Sequence, residues 1–191
     1  MGQRHSIRWL RRVLADALTL NQDFYEHSHH YPKAARFARG IVGLAALSHG
    51  LGSGLILLLY RPSLPQLVVG VLINALSVVA GYYLWTYALW KFNAYIAPPV
   101  PPYRELLIPV GFAYTPQVLN LLTVIPLLGP PITLALAGWT LLGAIAAVRA
   151  GLNIGLVKAT LLAGVGFTLV QVGIGLVQAG VQNWVAPSLL Q

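Results

Sequence analysis

Residues 106–148 read LLIPVGFAYTPQVLNLLTVIPLLGPPITLALAGWTLLGAIAAV, 43 residues without one charged side chain. A helix crosses the ~30 Å hydrocarbon core of a bilayer in about 20 residues, so this stretch holds enough chain for two crossings. Gly129-Pro130-Pro131 divides it, because consecutive prolines remove helix donors and restrict the backbone before them. The spacing predicts a helical hairpin, with one span over 106–127 and another over 131–149.

Three more windows free of charge lie outside this one, at 40–60, 62–90 and 159–191. A charge at mid-membrane costs about 2.5–3.5 kcal/mol on insertion scales, so gaps between charges are where spans fit. They predict spans over 38–60, 65–91 and 157–184, five in all. Composition agrees: 57% of the 191 residues are hydrophobic and 8% charged, against about 25% charged in a soluble domain. The fold class is therefore all-α, a polytopic membrane protein with five transmembrane helices. Residues 1–37 form a cytoplasmic or interfacial segment, 38–186 the five-span domain and 187–191 a short tail. Ala97-Pro98-Pro99-Val100-Pro101-Pro102 reads as a stiff polyproline-like loop between spans two and three.

A net charge of +8 would point to nucleic acid in a soluble chain. Here topology accounts for it. Seven Lys and Arg precede span one, Lys91 and Arg104 lie between spans two and three, and Arg149 and Lys158 between spans four and five. Those eleven share one side, and only Arg61 lies opposite, which places the N-terminus in the cytoplasm and the C-terminus across the membrane. Without cysteine, disulfides, thiolate metal sites and thiol nucleophiles are excluded.

At about 100° per residue, Ile7, Leu10, Val13, Leu14, Ala17 and Leu18 fall on one face of an N-terminal helix, and Arg4, Arg8, Arg11 and Arg12 on the other. Such a basic amphipathic helix suits anionic headgroups, with Trp9 at the border and Ser6 as N-cap. The alternative is that it packs on the cytoplasmic end of its own bundle. Glu26-His27-Ser28-His29-His30 gathers imidazoles near the membrane, but the spacing is no metal fingerprint. No metal and no cofactor are expected.

Within the spans, His49 lies near the middle of span one beside Ser48 and Ser53. An ionisable residue at that depth marks a functional candidate, although a neutral imidazole bonded to a neighbouring helix is the plainer reading. Span three carries Pro109, Thr115, Pro116, Gln117, Asn120 and Thr123 and should kink, freeing carbonyls near polar side chains. Asn74, Gln171 and Gln178 complete the intramembrane polar set. All four carboxylates, Asp16, Asp23, Glu26 and Glu105, lie outside the spans, which weighs against ion coupling. Gly50-xxx-Gly54 and the glycines of span five allow close helix approach, within the chain or in a homo-oligomer. Tyr82, Tyr83, Trp85, Tyr87, Trp90, Phe92 and Tyr95 crowd the end of span two as an interfacial belt would. No triad, carboxylate pair, HExxH or phosphate loop occurs, so no enzyme is expected.

From residue 106 onward the order of motifs resembles the Yip (Ypt/Rab-interacting protein) family in its shorter prokaryotic form. The matching pattern is G-[FY]-A-x-x-P, I-P-x-x-G, W and A-V-R-x-x-L, placing Gly111, Pro116, Pro126, Gly129, Trp139 and Arg149 at family positions. Upstream, ALTLNQDFYEHSHHYPKAARFARGIVGLAALSHGLG is similar to the family's juxtamembrane stretch, so the likeness covers residues 20–185. It departs in the basic N-terminal helix and in the Pro-rich loop at 97–102. The resemblance implies five spans with a cytoplasmic N-terminus and a role in membrane organisation. The short N-terminus lacks the long cytoplasmic region of eukaryotic members, which argues against a GTPase partner. The expected function is a non-enzymatic scaffold or adaptor that meets anionic lipid through Arg4, Arg8, Arg11 and Arg12 and other membrane proteins through its bundle. The alternatives are an accessory subunit of a larger complex, or a small transporter or channel built on His49 and the polar face of span three.

Overall fold

The computed structural model describes residues 11–31, 33–96 and 101–185, all of whose regular elements are helical. Residues 11–18 form α1, followed by α2 (Gln22–His27), a 3-10 turn (Ser28–His30), α3 (Ala34–Leu58) and α4 (Leu64–Ile96). Then come α5 (Tyr103–Ala113), a 3-10 segment (Thr115–Val124), α6 (Gly129–Leu152) and α7 (Leu156–Val185). Arg4, Arg8, Ser6, Trp9 and most of the Pro-rich loop, like the tail at 187–191, lie outside the described residues.

Helices α3, α4, α6 and α7 are each long and apolar enough to cross a membrane, and α5 with its 3-10 segment makes a fifth if the bent pair crosses as one. α4 opens with a capping box: the Ser63 N–H and hydroxyl both donate to Gln66 Oε1, at 3.0 and 2.9 Å. α6 closes on Asn153, whose φ of 49° turns the chain left-handed while its N–H returns to the Arg149 carbonyl. The α4 and α7 surfaces are mostly uncovered and apolar, with Leu72, Leu76, Leu161, Leu169 and Leu176 facing outward. In water that would be an aggregation hazard; against acyl chains it costs nothing.

The interior is held by small residues that let helices touch. A Cβ on Gly50 would sit 3.0 Å from the Ala75 Cβ and one on Gly54 2.6 Å from Val71 Cγ2, so this stripe serves α3–α4 packing. Gly111 meets Ala38 and the Tyr82 hydroxyl, joining α5 to the starts of α3 and the middle of α4.

Four sequence expectations need correction. Span three is not one kinked helix: α5 ends at Ala113, and the chain turns by 41° into ten residues of 3-10 helix. Pro116 has no N–H to continue the α ladder, and bonds to other helices hold the tighter segment, as described below. Gly129-Pro130-Pro131 does not lie between helices but opens α6, where a missing N–H is harmless; the reversal comes earlier, at Leu127, φ 66°. The aromatic belt is split, because Tyr82 and Trp85 are 1% exposed inside the bundle, while Tyr87, Phe92 and Tyr95 are exposed. Finally, the described part of the amphipathic helix turns its apolar face to protein: Val13 and Ala17 are buried in the main core, with Arg11 and Arg12 exposed.

Two side chains at family-pattern positions latch this N-terminal segment. Trp139 Nε1 donates to the Leu18 carbonyl at 2.9 Å, and Arg149 Nη1 to Gln22 Oε1 at 3.1 Å. Tyr25 adds a third tie, its hydroxyl donating to the Ala17 carbonyl at 3.2 Å. Burial raises the Tyr25 phenol's pKa, so it stays a protonated donor.

Candidate functional site: a polar cavity within the bundle

His49, placed at mid-helix by the uninterrupted run of α3, is gripped at both ring nitrogens. Asn120 of the 3-10 segment lies with its amide 2.6 Å from Nδ1, and Gln178 of α7 with its amide 2.7 Å from Nε2. A neutral imidazole donates from one nitrogen and accepts at the other, so one amide offers its N–H and the other its oxygen. An imidazolium would need both amides to offer oxygen. With neither nitrogen free, His49 is a poor general base and serves to fix the Asn120 and Gln178 amides at the cavity wall.

The 3-10 segment owes its stability to the same neighbourhood. The Leu121 N–H donates to Ser48 Oγ at 2.8 Å, and Gln117 Nε2 to Thr140 Oγ1 of α6 at 2.9 Å. Thr115 and Thr123 return their hydroxyls to carbonyls three residues back. Irregular backbone at this depth survives where protein partners or a polar cavity replace the missing helix bonds. Here both are present.

The cavity measures about 120 Å³ and is walled by α3, α4, the 3-10 segment, α6 and α7. Its polar lining comprises His49, Gln117, Asn120, Thr133, Thr140, Gln171 and Gln178, with Trp85 and Tyr114 among its aromatics. Trp85 Nε1 is buried without a hydrogen-bond partner among the described residues and packs against Gly166 of α7. At this volume the space takes several waters or one solute of a few heavy atoms, below the ~300–1,000 Å³ of drug-sized sites. A wider apolar groove of about 410 Å³ runs between α4 and α7 on the far face of Trp85, lined by Leu84, Leu169 and Val177.

Of the intramembrane candidates from the sequence, His49, Gln117, Asn120 and Gln171 meet at this cavity, and Gln178 joins them. Asn74 does not. It is buried one step away, its Nδ2 donating to the Gly70 carbonyl at 2.8 Å and its Oδ1 unpaired, on a separate 70 Å³ pocket that Gln178 also lines. Trp85 of α4, Thr133 and Thr140 of α6, and Tyr114 at the junction of α5 and its 3-10 segment line the cavity at no diagnostic spacing in the sequence. The sequence places Trp85 in an interfacial belt, whereas the fold buries it in the bundle. Among the family-pattern positions none lines the cavity: Pro116 is buried at its edge of the fold, Pro126 is exposed in the turn, and Gly129 abuts the Thr123 carbonyl. Among the described residues no group of three or more His, Asp and Glu could hold a metal, and the His27 and His30 rings stand 6.3 Å apart. Comparison with known proteins finds no matching family model, no matching curated protein and no matching solved structure.

Proposed function

We propose that this chain is a five-span membrane protein whose bundle binds a small, uncharged polar solute and passes it across the membrane, as a non-enzymatic carrier or channel. The observation that carries this reading is the clamp on His49, with amides from two other elements on its two ring nitrogens at the wall of a polar cavity. The amides and hydroxyls around the clamped imidazole match the hydrogen-bonding valence of a neutral solute, and no carboxylate lines the space to hold a cation. The bent third crossing supports the span count. Its residues follow α6 along its whole length, Leu106 beside Gly151, Ala113 beside Gly143, Gln117 beside Thr140 and Thr123 beside Gly129. Five crossings with the basic loops on one side put the N-terminus in the cytoplasm and the C-terminus opposite.

The test is solute entry into liposomes carrying the purified chain, across water, urea, glycerol and small amides, with light scattering or tracer as readout. Protein-dependent entry that falls at least tenfold in His49→Ala and Asn120→Ala is the expected result, since the first removes the clamped ring and the second one of its two arms. No entry above empty liposomes for any of these solutes would overturn the reading.

A scaffold or adaptor role is the second reading, favoured by the latch of Trp139 and Arg149 on the N-terminal segment. That contact fixes the segment to the bundle with Arg11 and Arg12 turned outward, where anionic lipid or another membrane protein can meet them. The Yip-like motif order points the same way, because two of its positions form the latch. A stoichiometric partner recovered from native membranes would favour this reading, or that of an accessory subunit; a lone chain or homo-oligomer would favour solute passage.

A further inference from the structure

A second crevice, remote from His49, opens between the start of α3, the middle of α4 and the first turns of α5. Two guanidiniums line it, Arg39 and Arg104, together with the phenols Tyr82 and Tyr83 and the apolar side chains of Leu107 and Ile108. Its volume is about 380 Å³, inside the range of ligand pockets and three times that of the His49 cavity.

Both arginines and the Tyr83 hydroxyl have donors to spare among the described residues. Among the described residues Arg39 uses only Nε, donating to the Ala35 carbonyl of its own helix at 3.0 Å, which leaves its terminal nitrogens without a partner there. Arg104 and the Tyr83 hydroxyl have no hydrogen-bond partner among the described residues, and neither arginine is paired with a carboxylate there. The Tyr82 hydroxyl is held at 2.6 Å by the Leu107 carbonyl and the Tyr103 hydroxyl at 3.0 Å by the Tyr83 carbonyl, so the frame around the arginines is fixed. None of the lining residues is acidic; Glu105 neighbours Arg104 in sequence but does not reach the crevice. Two like charges from separate helices facing one space repel until an anion lies between them. Guanidiniums match the oxygens of phosphate in particular, through paired N–H donors. Leu107, Ile108 and the tyrosine rings offer apolar surface beside that position, suited to the ester end of the ligand.

We propose that this crevice binds a phosphate group between Arg39 and Arg104, with the Tyr83 hydroxyl as a further donor. Its place on the basic side of the bundle offers two sources, the headgroup of an anionic phospholipid and free phosphate.

The full chain, purified in neutral detergent, is titrated with dihexanoyl phosphatidic acid, inorganic phosphate or dihexanoyl phosphatidylcholine, and the apparent Kd read from the rise in unfolding temperature by tryptophan fluorescence. Phosphatidic acid should bind saturably, and Arg39→Gln/Arg104→Gln should weaken it by about tenfold or more, as loss of charge-assisted bonds does. Arg39→Lys/Arg104→Lys should regain part of the loss. Arg36→Gln/Lys158→Gln, which removes two charges outside the crevice, should bind as the unaltered chain does. Both arginines are exposed, so their exchange should leave the unfolding temperature without ligand unchanged. Tyr83→Phe gives an independent variant with a smaller loss. Phosphate binding as tightly as phosphatidic acid would identify the free anion; phosphate competing only at far higher concentration would identify the lipid. Equal binding to the Arg39→Gln/Arg104→Gln variant, equal loss in the control pair, or no saturable binding of either anion would overturn the proposal.

Discussion

At the scale of single residues, the bundle separates glycines that permit contact from glycines that merely occur. Gly129 begins α6 against the Thr123 carbonyl, backbone that cannot yield, whereas nothing lies within 4 Å of where a Cβ would stand on Gly164 or Gly173. Gly129→Ala should therefore lower stability by about 1–3 kcal/mol, the usual cost of overpacking. Gly164→Ala should be neutral or slightly stabilising, because alanine is the better helix former. Thermal unfolding in detergent, followed by tryptophan fluorescence, checks the pair; equal shifts would mean that the turn before α6 relaxes freely. His49 shows the opposite economy, one side chain whose two nitrogens are both committed, so that its orientation is set before any solute arrives.

Among the elements, the decisive one is the bent pair of α5 and its 3-10 segment. An α-helix throughout would present Asn120 and Gln117 at a different rotation, since 3.6 and 3.0 residues per turn diverge by about 20° for each residue past Pro116. The 3-10 geometry, imposed by Pro116 and held by Ser48 and Thr140, brings Asn120 to His49 and Gln117 to α6. The N-terminal segment is the other element whose position depends on named bonds. Removing two of them in Trp139→Phe/Arg149→Gln should raise tryptic cleavage after Arg11 and Arg12 roughly tenfold, because proteolysis tracks the open population and each lost bond is worth about 0.5–1.5 kcal/mol. Unchanged cleavage would show that burial of Val13 and Ala17 alone holds the segment.

For the whole molecule, the proposed five-span arrangement puts Ser63 and Leu127 on one side of the membrane and Asn153 on the other. The chain has no cysteine, so single replacements report topology cleanly. Ser63→Cys and Leu127→Cys should react with a membrane-impermeant maleimide from the side opposite the cytoplasm, and Asn153→Cys only from the cytoplasmic side. Leu127 is 95% exposed at the tip of the reversal before α6, so access to it decides the bent pair. Labelling of Leu127→Cys from the cytoplasmic side would make α5 and the 3-10 segment a re-entrant loop and reduce the count to four.

Much of this was legible in the sequence. Charge-free windows located α3, α4, α6 and α7 to within a few residues, because the penalty for a buried charge acts residue by residue and needs no tertiary information. The same local logic named His49, Gln117, Asn120 and Gln171, polar groups within long apolar stretches. It could not show that they share a cavity while Asn74 stands apart, since that depends on how helices far apart in sequence are rotated against one another. Nor could it show that the face of Val13 and Ala17 meets protein, because an apolar stripe satisfies lipid and core equally. Arg39 and Arg104 counted in the sequence only as topology; their shared crevice exists because α3 and α5 begin side by side. Composition and charge thus determined by themselves that this chain carries helices long and apolar enough to cross a bilayer, and where most of them run. The partners of each polar side chain were left to the tertiary structure, because hydrogen bonds between helices depend on distance and angle in space, which no spacing along the chain encodes.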